Sequence, residues 1–165
     1  MSSRVAATEL LSGCWKKMDP MPRSLAAPAS AMGWLESQRW ERRLVLVTGG
    51  ADAPELEALQ VRVEEVAGAL QERRLSVWRL ERDRLRWVGG APPLSGRGPG
   101  ASDADRVRRL LRTNGSFFGL HLVGLDGEYK ARSADVAGLD ALLEQVDAMP
   151  MRRQELRRAP QGRDD

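Results

Sequence analysis

Apolar positions fall into two spacings along this chain. From Arg42 onward, short continuous apolar runs alternate with stretches in which Leu, Val and Ala recur every three or four residues. The run Leu44-Val45-Leu46-Val47, closed by Thr48-Gly49-Gly50, predicts a strand buried on both faces. Leu56, Leu59, Val63, Val66, Ala67 and Leu70 then share one face of a helix reaching about Arg73, with Glu57, Arg62, Glu64 and Glu65 on the others. Asp52-x-x-Glu55 resembles a capping box at its start, with Pro54 suited to the first turn. Leu75–Leu80 predicts a second strand, which Leu85–Val88 extends or follows as a small extra strand. Gly89–Gly100 holds three prolines and five glycines and reads as a loop.

Ser102-x-x-Asp105 opens a second helix with the stripe Val107, Leu110 and Leu111, and Asn114-Gly115 stops it. Phe117–Leu125 predicts a third strand. Asp126-Gly127 is a tight-turn signal, because the turn needs positive φ, so Glu128–Ser133 returns antiparallel as a fourth strand. Leu139, Leu142, Leu143, Val146 and Met149 predict a third helix. Pro150 ends it or starts a final turn over Met151–Arg158.

The predicted order is β-α-β-α-β-β-α. A right-handed crossover joins the two parallel strands, and the hairpin adds two antiparallel ones. The expectation is an α/β domain with a four-stranded mixed sheet and helices on both faces, the order of the thioredoxin fold. Residues 1–38 read differently. Pro20, Pro22 and Pro28 interrupt any helix longer than a short one near Val5–Leu11. They predict a loosely ordered arm touching the domain through Trp15, Trp34 and Trp40, since a tryptophan buries a large apolar area. The expected division is thus arm 1–38, domain 39–158 and disordered tail 159–165.

Composition narrows the chemistry. The 165 residues contain one cysteine, Cys14, and one histidine, His121. No intrachain disulfide, CxxC motif or His-rich metal site can form, and neither a metal nor another cofactor is expected. No apolar run approaches the roughly 18–20 residues of a membrane helix. The net charge is +3, but residues 1–43 contribute +3, residues 44–149 −2 and residues 150–165 +2. Basic residues of the middle alternate with acids, as in Arg79, Glu81, Arg82, Asp83 and Arg84, which reads as a solvated face and argues against nucleic acid. Leu11-Ser12-Gly13-Cys14 matches a lipobox, yet the apolar stretch before it is short and interrupted by Glu9. A cytoplasmic location is the default expectation; export or lipid anchoring through Cys14 is the alternative.

Val47-Thr48-Gly49-Gly50-Ala51 opens like a dinucleotide-binding turn, but Ala51-Asp52-Ala53-Pro54 supplies neither the later glycines nor a full set of N–H groups. In a thioredoxin-like domain this same turn holds the redox cysteine. This chain has no cysteine after position 14, so thiol catalysis at the usual position is not possible. His121 lies within a strand and reads as a half-buried, hydrogen-bonded structural residue. No catalytic residue is assigned.

The most distinctive segments are Asp126–Arg132 and Val146–Glu155, the second containing Met149-Pro150-Met151-Arg152-Arg153. With the strand Leu44–Val47, the Gln60 helix and Leu70-Gln71-Glu72-Arg73, they carry a resemblance. Residues 44–156 resemble the domain of unknown function shared by sushi-repeat-containing proteins and related matrix proteins, which also has stand-alone bacterial members. The resemblance implies a thioredoxin-like or peroxiredoxin-like fold and transfers no catalytic residue. Leu85–Gly100 departs from it. The expected function is a non-catalytic interaction module that meets an unknown protein or anionic ligand through Lys130, Arg132, Arg152 and Arg153. The alternative is a redox-related, peroxiredoxin-like auxiliary protein lacking the usual cysteine. Oligomeric state is left open.

Overall fold

The computed structural model describes residues 33–96 and 98–159. The expected short helix near Val5–Leu11, Cys14, Trp15 and most of the expected tail lie outside the described residues. Eleven elements follow in order: α1 (Trp34–Gln38), β1 (Arg43–Thr48), α2 (Glu55–Glu65), α3 (Ala67–Glu72), β2 (Leu75–Leu80), β3 (Leu85–Gly90), α4 (Ala101–Leu111), β4 (Gly119–Val123), β5 (Tyr129–Ser133), α5 (Gly138–Ala148) and α6 (Pro150–Arg158).

The strands form one mixed sheet in the order β3-β2-β1-β4-β5. β1 and β2 run parallel, with Val45 opposite Val77, and every other pairing is antiparallel. Without β3 the order is that of the thioredoxin fold. The sheet therefore has five strands where the pattern predicts four. Leu85–Gly90 doubles back on β2, pairing Leu80 with Leu85 and Trp78 with Trp87. Its last two positions must be glycine. Gly90 has φ +83°, and a Cβ there would lie 2.5 Å from the Leu75 carbonyl oxygen; a Cβ on Gly89 would lie 2.4 Å from Val63 Cγ1. At these two positions the strand passes too close to α2, α3 and the backbone of β2 for a side chain, so glycines that read as loop are strand.

Strand alternation sends successive side chains to opposite faces and builds two cores. On one face Val45, Val47, Val77, Leu120 and Leu122 meet Leu59 and Val63 of α2, Leu70 of α3, and Leu139, Leu142, Leu143 and Val146 of α5. On the other, Leu44, Leu46, Trp78 and Leu80 meet Trp34 of α1 and Ala104, Val107 and Leu111 of α4. β1 is buried along its whole length, as its unbroken apolar run requires.

Several local expectations are revised. The helix predicted to run to Arg73 breaks at Val66 (φ −101°, ψ 15°) into α2 and α3. Asp52 does not cap α2, whose N-cap is Pro54 with no side-chain bond. In α4, Asp103 acts where Ser102 was expected: one carboxylate oxygen accepts the Gly100 N–H and the other the Trp34 N–H, each at 2.9 Å. That buried carboxylate ties α1 to α4, while Trp34 packs edge-on against Trp78 at 4.9 Å. Trp40 instead is exposed, with the Arg39 guanidinium 5.5 Å from its ring centre. Phe117 lies outside β4 and is 78% exposed.

Candidate functional site

The four cations expected at a partner surface fall in different environments. Lys130 on β5 is held by Asp126 at 2.6 Å and Glu128 at 3.0 Å, and the Asp126 contact raises its pKa. Arg132, two residues on, is exposed and makes no ion pair among the described residues. Arg153 on α6 is exposed and unpaired in the same sense. Arg152 corrects the expectation. It is 5% exposed, donates to the Glu72 carboxylate at 2.6 Å and the Glu72 carbonyl at 3.1 Å, and has Asp147 and Glu155 within 3.6 Å. Its guanidinium is internal and not free for a partner.

Arg152 belongs to a network that explains the distinctive C-terminal segment. Arg43, fully buried at the start of β1, meets both Glu155 carboxylate oxygens at 3.3 Å. Arg74 reaches Glu155 at 2.6 Å, and Arg73 makes two hydrogen bonds with Asp147 at 2.9 and 2.6 Å. The Arg73 bonds hold Asp147 below the usual carboxylate range. Burial works to raise the Glu155 carboxyl, but Arg43 and Arg74 outweigh it and the net shift is downward. The segment Asp147–Glu155 thus clamps α5 and α6 to the ends of β1 and α3. The nearby pairs of Arg152 with Asp147 and Glu155 are within reach of sequence reading, whereas those that Asp147 and Glu155 make with Arg43, Arg73 and Arg74 are not, because these partners lie 74 to 112 residues away.

The turn after β1 occupies the C-terminal end of a parallel strand, where open α/β sheets bind ligands. Its residues, Gly49 to Pro54, include no thiol or hydroxyl. The Thr48 hydroxyl beside it is buried and donates to the Phe117 carbonyl at 2.8 Å. Since its one proton is used there, Thr48 accepts from His121 Nε2 at 3.3 Å, and Tyr129 donates to His121 Nδ1 at 3.2 Å. This donor order fits a neutral imidazole. Burial, and secondarily the Arg132 charge, pushes His121 below its ordinary value. At 4% exposure, His121 is more enclosed than the half-buried residue expected.

Beside this turn, Arg79 departs from the solvated face that its charged neighbours predict. It is partly buried, and its Nε is buried without an acceptor. Among the described residues no three His, Cys, Asp or Glu side chains converge as a metal site, and no helix is long and apolar enough to cross a membrane.

Residues 34–155 match the family model described as Domain of unknown function (DUF4174). No curated protein matches the chain. Two solved structures are similar at 14% identity and a TM-score of 0.44: a thioredoxin peroxidase I of Plasmodium yoelii, covering 73% of this chain and 79% of that one, and a Plasmodium yoelii Prx1a modified at the N-terminus, covering 73% and 80%.

Proposed function

For a chain that belongs to the DUF4174 family of domains of unknown function, we propose a non-catalytic, thioredoxin-like interaction module that meets an acidic protein or anionic polymer. The kinship of Val146–Leu156 with the domain of sushi-repeat-containing proteins is part of the same proposal. The observation that carries it is the separation of the cations into two kinds. Arg152 is internal and Lys130 is held by two acids, whereas Arg132 and Arg153 present exposed guanidinium groups with no carboxylate partner among the described residues. A guanidinium left in this state offers a planar fork of donors to a carboxylate, sulfate or phosphate. The absence of a thiol or free hydroxyl in the turn after β1 supports a role in binding.

The test is capture of a partner from the source organism by the wild-type chain and by Arg132→Ala with Arg153→Ala. Recovery falls sharply in the double variant while its circular dichroism spectrum stays unchanged. Equal recovery removes the proposal. Peroxide or disulfide turnover that disappears in Cys14→Ser would replace it with a thiol mechanism.

A further inference from the structure

We propose that the cleft at the C-terminal ends of β1 and β2 binds a small phosphate-bearing ligand through Arg79, Arg82 and the backbone N–H groups of the turn after β1. The cleft has a volume of about 1030 Å³, bounded by Gly49–Ala51, by Arg79–Arg84 and by Asn114–Ser116. It goes beyond the module proposed above and involves none of its cations.

Arg79 carries the inference. Four arginines have a buried Nε without an acceptor: Arg42, Arg43, Arg79 and Arg152. Three of them place other guanidinium N–H groups well: Arg42 on the Glu41 carbonyl at 3.1 Å, Arg43 on Glu155, and Arg152 on Glu72. The Arg79 guanidinium makes no hydrogen bond or ion pair with any described residue. Strand alternation puts it on the face of Val77, beneath α2, and it lines both the cleft and a neighbouring cavity of about 310 Å³ beside Leu56 and Trp87. A partly buried charge without a partner is unfavourable, and an anion bound against it removes the penalty.

The walls complete the site. Arg82 is exposed and likewise unpaired among the described residues. Of the two acids lining the cleft, Glu81 is paired with Arg84 and lies 4.0 Å from Arg86, leaving Asp83. Arg108 donates to the carbonyls of Glu81 and Arg82 and so fixes the reversal that presents Arg82. Gly50 and Ala51 also line the cleft, and their N–H groups take no acceptor among the described residues. Asp52 and Glu55 would repel an anion on the α2 axis, but neither lines the cleft. Two arginine forks and two amides offer more donors than the two oxygens of a carboxylate accept, and suit the three outer oxygens of a phosphate group.

Calorimetric titration of the full chain with pyrophosphate at constant ionic strength, with citrate as the carboxylate comparison, tests the site. Wild type binds pyrophosphate in preference to citrate. Arg79→Met binds it about tenfold or more weakly, and its unliganded melting temperature equals or exceeds that of wild type because the unpaired charge is gone. Arg82→Ala weakens binding and Arg132→Ala does not. Absence of binding by wild type, citrate binding as tightly as pyrophosphate, or equal losses in Arg79→Met and Arg132→Ala would overturn the proposal. If Arg79→Met does not fold, Arg79→Lys keeps the charge without the fork; weaker binding supports the site, and unchanged binding overturns it.

Discussion

His121 is the only histidine of the chain, so its ring protons titrate without overlap. It stands between two oxygens with a fixed donor order, Tyr129 to Nδ1 and Nε2 to Thr48. A proton added at Nδ1 would displace the Tyr129 donor and create a charge in a buried place beside Arg132. Burial first, and then Arg132, therefore lowers its folded-state pKa below the unfolded 6.5. The stability this gives is fully present above pH 6.5. It is lost as pH falls from 6.5 through the folded value, because the unfolded chain takes up the proton first. A proton NMR titration should give a midpoint below 6.5 that rises in Arg132→Ala. His121→Gln should flatten the pH dependence of unfolding in that window. A midpoint at 6.5 would sink this account. Gly119 contributes by omission: a Cβ there would lie 3.0 Å from His121 Nε2 and 3.2 Å from Thr48 Oγ1.

At the scale of elements, α6 shows how a helix with few apolar residues stays docked. Its single buried side chain is Arg152, which anchors it to the C-terminal end of α3 through Glu72. Arg152→Ala should lower the free energy of unfolding in urea by about 1–3 kcal/mol, since it removes hydrogen bonds to charged groups around a buried guanidinium. Arg153→Ala, exposed one residue on, should change it by less than about 0.5 kcal/mol. Equal effects would show that Arg152 is not the anchor. The two residues are adjacent and chemically identical in sequence, so nothing local distinguishes them. Element identity was more legible. The apolar runs of β1 and β4, the stripe of α5 and the Asp126-Gly127 turn were readable because each is set by neighbours within a few residues. The Leu85–Val88 part of β3 was readable as a small extra strand, but Gly89 and Gly90 were not, because they answer to Val63, Leu70 and Leu75 across the fold.

For the whole molecule, the clamp formed by Asp147 and Glu155 joins the chain's C-terminal helices to β1, α3 and the start of β2. Both carboxyls are held below their ordinary values of 3.8 and 4.5, so their contribution is complete above about pH 4.5 and is lost as pH falls through the lowered values. The melting temperature should therefore drop steeply below about pH 4.5, whereas the contribution of His121 begins to fall already at 6.5. The drop should be shallower in Glu155→Gln; an unchanged slope would show that the clamp is not its source. The sequence alone determined the alternation of strands and helices, the two-faced sheet and the exclusion of a thiol from the turn after β1. Those properties follow from side-chain period and from composition, both of which are local or countable. Only the tertiary structure decided which arginines are internal, which are paired and which are left open. Charge state is the same for every arginine in the sequence, but burial and pairing depend on residues brought together from distant positions. Arg152 became an anchor because Glu72 lies against it, and Arg79 became a candidate ligand contact because no described carboxylate does.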